Sequence, residues 1–134
     1  MLRNQELHRL LASPNPSAHH SFAGYDLSAL RLVKANFRGA ILKRADLSQS
    51  DLSNASLQSA HLERANLRGT NFTGANLAGA FLRGADLRDA YLRGADLRGA
   101  DLHGIRFEGA NFSDARLEGA KFDPGVEERI VLIG

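Results

Sequence analysis

Ala65-Asn66-Leu67-Arg68-Gly69, Ala85-Asp86-Leu87-Arg88 and Ala95-Asp96-Leu97-Arg98-Gly99 are samples of one pattern, and its period decides the fold. Stepping by five from Phe22 to Phe122 visits 21 positions, and every one is Leu or Phe. Fifteen are Leu, and Phe stands at 22, 37, 72, 107, 112 and 122. The register never slips. Three-quarters of the 28 Leu and Phe in the chain lie on this lattice, so the core must be built from it. Ala stands two residues before the lattice position in 15 of 21 repeats; the exceptions are His20, Tyr25, Leu30, Ser50, Thr70 and Ile105. Asp or Asn directly precedes it 11 times, and Gly follows two residues later 11 times.

A period of five fits neither regular element. On an α-helix successive lattice residues would stand ~140° apart, so no single face could hold them. On a flat strand an odd period would send them alternately to opposite faces. The chain must therefore bend once per repeat to keep each Leu or Phe inside. Glycine suits the bend because it adopts positive φ without steric cost. Alanine suits a second inward position close to the axis of a narrow coil.

These runs resemble the pentapeptide-repeat family over about residues 20–124. The resemblance implies an all-β fold: a right-handed quadrilateral β-helix, with four pentapeptides per coil and about five coils, ~24 Å tall at ordinary strand spacing. Domain organisation follows. Residues 1–19 read as an N-terminal cap and linker, with a short α-helix over 2–12 (Leu2, Leu7, Leu10, Leu11) broken by Ser13-Pro14-Asn15-Pro16-Ser17. Residues 20–124 are the solenoid, whose end coils need covers. Residues 125–134 follow Asp123-Pro124 and carry Ile130, Val131, Leu132 and Ile133, four apolar residues that would not stay in water. They read either as a cap on the last coil or as a surface where two stacks meet in a homodimer.

Composition narrows the function. The 134 residues include no Cys, which excludes disulfides, thiol nucleophiles and zinc-thiolate sites. No apolar run approaches the ~18 residues of a membrane span, and residues 1–20 lack the apolar stretch of a signal peptide, so a cytoplasmic, membrane-free protein is expected. No triad spacing, nucleophile elbow or P-loop lysine occurs, and a Leu-filled interior has no cavity to tune a catalytic group. In a four-sided coil His61 and His103 share a face but stand two coils apart, too far to share a metal. His19 and His20 are adjacent and read as an end-packed or solvated pair. No catalytic, cofactor or metal-binding residue is assigned.

Arg83, Arg88, Arg93 and Arg98 circle one coil instead of climbing one face, among Asp86, Asp89, Asp96 and Asp101, so a weak, salt-dependent nucleic-acid contact is the most they could support. Some members of the family mimic DNA and bind topoisomerases such as gyrase, which requires an acidic surface. Residues 20–123 hold 12 acids against 14 bases, and the column Asp26, Asp46, Asn66, Asp86 ends in Arg106. A non-catalytic scaffold for a protein partner is the better expectation. The column before the first-face leucines reads Ser21, Ile41, His61, Phe81, Asp101, Lys121. Ile41, His61 and Phe81 replace the usual Asp or Asn in three successive coils. With Arg83 beside them, they form the candidate interaction face. Tyr91, alone on another face, receives no role.

Overall fold

Each repeat carries five backbone N–H groups, and residues 46–50 show where all five go. Asp46 donates back to the Tyr25 carbonyl at 2.9 Å, while Leu47 and Gln49 donate forward to the Asn66 and Arg68 carbonyls, both at 2.9 Å. The Ser50 N–H closes a tight turn on the Leu47 carbonyl at 3.1 Å. The fifth, on Ser48, has no carbonyl to reach and is taken by the Asp46 side chain at 3.0 Å. This is an Asx turn, and it explains the Asp/Asn column: a short side-chain acceptor caps the one donor that the ladders leave over.

The computed structural model describes residues 20–133. Residues 1–19, with the helix expected over 2–12, lie outside the described residues. From Ser21 paired with Ile41 to Asp101 paired with Lys121, every bridge is parallel and joins residues twenty apart. Four pentapeptides therefore make one turn of the coil, one on each of four sides. Each side contributes a single bridging residue, then a turn.

The lattice lies inside. Every lattice residue from Phe22 to Leu102 is 4% exposed or less, and the alanines that stand two residues before a lattice position, from Ala40 to Ala100, are at most 1% exposed. The residue two past the lattice position has positive φ in each repeat from Gly24 to Gly119. Sequence reading predicts the bend where Gly stands, yet nine non-glycine residues adopt it too, among them Ala29 at 55°. From Gly24 to Gly99 the corner N–H donates to a carbonyl of the next coil whatever residue occupies the corner, as Ala29 does to Ser48 at 2.9 Å.

Two polar residues enter the alanine column without being left unpaired. Ser50 is 1% exposed; its hydroxyl donates to the Leu27 carbonyl at 2.6 Å and accepts from the Leu30 N–H at 3.2 Å. It thereby completes the turn of the coil before it. The Thr70 hydroxyl donates to the Leu47 carbonyl at 2.8 Å in the same way. Bulkier residues sit at the ends, where fewer coils press on them. Phe22 packs edge-on against Phe37 and Tyr25, both at 5.6 Å between ring centres, and Phe107 lies 6.4 Å from Phe112.

The tail is helical. Helix α1 (Val126–Ile133) begins just past Asp123-Pro124-Gly125, with Glu127 and Glu128 in its first turn, where negative charge favours the helix dipole. Ile130 is 1% exposed, Val126 packs against the core one helical turn earlier, and the Arg129 guanidinium lies 4.8 Å from the centre of the Phe107 ring. The Asp123 carboxylate accepts from the Gly104 N–H at 2.8 Å, standing in for the carbonyl of a further coil. Side chains of Val131, Leu132 and Ile133 lie outside the described residues. No helix among the described residues is long and apolar enough to cross a membrane.

The corner geometry makes a signed prediction. Ala29→Gly removes the strain of a left-handed alanine and should raise unfolding free energy by about 1 kcal/mol, whereas Gly94→Ala, at φ 69° with open space around it, should lower it by about the same amount. Urea titration of both variants checks this; equal signs would contradict it.

Candidate interaction face

Because coils stack in strict register, a column of sequence positions twenty apart becomes a straight row of side chains. The row that breaks the Asp/Asn rule is bridged in order: Ser21, Ile41, His61, Phe81, Asp101, Lys121. His61 and Phe81 stack nearly parallel, 4.7 Å between ring centres with 10° between planes. Phe81 is 39% exposed, and Ile41 and His61 are half-buried. The structure therefore brings Ile41, His61 and Phe81 together, as expected, and puts the exposed Arg83 beside them.

Sequence reasoning missed what lies around Arg83. Its guanidinium reaches Asp101 at 3.3 Å and lies 3.4 Å from the His103 ring, and His103 Nδ1 lies 2.6 Å from Asp101. Burial tends to raise the Asp101 pKa, but the His103 N–H and ring together with Arg83 overcome it and hold the carboxyl below its usual range. At the other end of the stack, His61 contacts Glu63 at 3.3 Å. Arg83 meets Asp101 and His103 across adjacent coils, whereas His103–Asp101 and His61–Glu63 join residues two apart in one repeat; side-chain reach, which the repeat pattern does not specify, decides both kinds of contact.

The face also forgoes something. Where Asp or Asn precedes the lattice residue, its side chain caps the N–H two residues on, as Asp86 does for Arg88 and Asn71 for Thr73. Ile41, His61 and Phe81 leave the N–H groups of Lys43, Glu63 and Arg83 without an acceptor among the described residues. Three successive donors stay open along one flank of the aromatic row.

The arginine belt behaves otherwise. Arg88 and Arg98 each fork back onto the Asp two residues earlier: Arg88 to Asp86 at 2.9 and 2.6 Å, Arg98 to Asp96 at 2.9 and 2.7 Å. Arg93 stands 3.8 Å from Asp114. All four belt arginines thus face carboxylates, and the guanidinium forks hold Asp86 and Asp96 below the usual carboxylate range. Tyr91, 55% exposed, stands in a different row between Asn71 and Asn111. Among the described residues no group of three or more His, Asp and Glu is arranged to hold a metal ion.

A chain that turns a four-sided coil every twenty residues, with all its specific chemistry on the outside, is a β-solenoid. The family model described as pentapeptide repeats matches it in 8 copies, over residues 21–58, 50–89 and 90–123, and the chain belongs to that family. Among solved structures it resembles the pentapeptide repeat protein Rfr23 from the cyanobacterium Cyanothece 51142, at 28% identity and TM-score 0.51, covering 88% of this chain and 93% of that one. It also resembles alr5209 from Nostoc Pcc 7120, at 32% identity and TM-score 0.54, covering 69% of this chain and 84% of that one. A pentapeptide repeat protein of the Arabidopsis thaliana thylakoid lumen shares the fold at 23% identity and TM-score 0.50, over 87% and 74% of the two chains. These neighbours carry the handedness and shape: a right-handed quadrilateral β-helix. No curated protein matches the chain significantly.

The charged rows predict an acid-side loss of stability. Asp51, held low by its Ser53 hydrogen bonds, joins Asp86, Asp96 and Asp101 in having a folded pKa below the unfolded one. Their contribution is present at neutral pH and disappears as pH falls from about 4 through the folded values. Asp86→Asn with Asp96→Asn keeps an Asx acceptor but removes two titrating groups. Urea midpoints measured from pH 7 to pH 2.5 should fall less steeply in this variant than in the parent, and identical profiles would contradict the assignment.

Proposed function

We propose that this protein is a non-catalytic, cytoplasmic scaffold of about five coils that presents the Ile41, His61, Phe81 and Arg83 face to a protein partner. One observation carries the reading. The interior is filled by Leu, Phe and Ala, while a stacked aromatic pair lies in the open at a position where the repeat ordinarily puts a backbone cap. Exposed, rigidly positioned aromatic and arginine side chains have the composition of interaction hot spots.

DNA mimicry finds less support, since its charge balance is wrong: 12 acids against 14 bases in residues 20–123. Binding of nucleic acid by the arginine belt is disfavoured by the carboxylates that face all four arginines. For the tail, burial of Ile130 against the chain's own last coil supports a cap rather than a dimer surface.

Affinity capture from host lysate with the full chain as bait, compared with an Ile41→Asp/Phe81→Asp variant, tests the face. The expected result is a retained protein that the variant loses while keeping its circular-dichroism spectrum; an unchanged set of retained proteins would remove the face. Deleting residues 126–134 should lower unfolding free energy by about 2 kcal/mol or more through loss of Ile130, with a monomeric sedimentation coefficient before and after. A dimer that dissociates on deletion would replace the capping reading.

A further inference from the structure

The face has two unequal flanks, and the difference identifies what fits it. On one side of the Ile41, His61, Phe81 row lie Lys43, Arg44, Arg64 and Arg83, all exposed, with Glu63 the one acid among them and in contact with His61. Lys43, Arg44 and Arg64 make no ion pair among the described residues, unlike the arginines of the belt. The open N–H groups of Lys43, Glu63 and Arg83 run along this same flank. On the other side the neighbouring positions are Gly39, Gln58, Ser59, Ala78 and Gly79, with Arg38 the single charge. An apolar row is therefore bordered along one edge by three unneutralised cations, Lys43, Arg44 and Arg64, and by spare donors, while Arg83 is shared with Asp101; the charge complementary to this edge is negative.

Spacing selects the shape of the occupant. Two coil rises separate Ile41 from Phe81, about 9.6 Å at ordinary strand spacing. Residues i and i+7 of an α-helix are about 10.5 Å apart along its axis. Same-face residues i and i+4 of an extended strand are about 13 Å apart and would drift out of register with the row. A helix laid along the solenoid axis keeps one apolar residue per turn over each of Ile41, His61 and Phe81.

We infer that this face binds an acidic amphipathic α-helix of a partner protein, its apolar side chains at i, i+3 or i+4 and i+7 on the Ile41, His61, Phe81 row and its carboxylates against Lys43, Arg44 and Arg64. The inference rests on the reading above that the face takes a protein partner. Residues 2–12 of the chain itself do not meet the charge requirement, since they carry Arg3 and Arg9 against Glu6.

The test is selection of a phage-displayed library of random 16-residue peptides on the full chain, followed by fluorescence anisotropy with the most enriched peptide. Enriched sequences should be net acidic, with apolar residues at helical spacing. Binding should weaken at least tenfold with Arg44→Glu/Arg64→Glu, weaken as salt rises, and vanish with Ile41→Asp/Phe81→Asp, all variants retaining the parent circular-dichroism spectrum. Enrichment of basic, proline-containing or unpatterned sequences overturns the inference. So does affinity indifferent to either double substitution, or a 20-base-pair DNA duplex bound more tightly than the best peptide. If lysate capture depends on Ile41 and Phe81 while no acidic helical sequence is enriched, the scaffold reading stands and the helix falls.

Discussion

Everything in this structure depends on turning the backbone through a corner once per five residues without stranding a hydrogen-bonding group. The corner puts positive φ at a fixed position, and the inward residues on either side of it become a large and a small apolar plug. In the interior coils four backbone donors of each repeat, as in residues 46–50, then point to other carbonyls, three along the stack and one across the turn. A buried polar backbone without partners would cost more than the side-chain burial returns, so these ladders and the apolar filling are inseparable. Ser50 and Thr70 show how strict the requirement is. Each enters the core only because its hydroxyl bonds the turn of the coil before it.

The outside is less constrained, and that is where individuality lies. The position before each lattice residue can hold an Asp or Asn that caps the leftover donor, or another side chain that does not. On most faces the cap is kept; on one face it is given up three times in succession for Ile41, His61 and Phe81. The nearby cations divide in the same way. Arg88 and Arg98 are folded back onto their own aspartates, whereas Lys43, Arg44 and Arg64 are left facing solvent. Rigid stacking turns both departures from the repeat into straight, closely spaced rows, a form suited to recognition of another ordered element.

Much of the fold was legible in the sequence because a five-residue period admits so few solutions. The unbroken lattice from Phe22 to Phe122 dictated the bend and the interior. Resemblance to the family supplied the four sides, which periodicity alone does not. The Ile41, His61, Phe81 row was legible too, as an exception to the Asp/Asn column. Less visible were contacts between unlike positions: Arg83 with Asp101, or Asp123 with the Gly104 N–H, depend on side-chain reach across coils. The left-handed corners at Ala29 and Arg64 were hidden because residue type normally signals such a φ, and here the neighbouring coils impose it. The tail offered Ile130 as an apolar residue without saying which surface it would cover; helix formation from Val126 turns it onto the last coil.

Since the chain has no cysteine, single cysteines can report the inside and outside of one repeat directly. Asn76→Cys, Leu77→Cys, Ala78→Cys and Ala80→Cys, each treated with a maleimide under native conditions, sample both sides of the corner at Gly79. Fast labelling at 76 and 78, with 77 and 80 protected until denaturant is added, is the outcome required by a corner in every quintet, because an uninterrupted strand would put 80 on the same face as 76 and 78. Labelling of Ala80→Cys as fast as of Asn76→Cys and Ala78→Cys would contradict it.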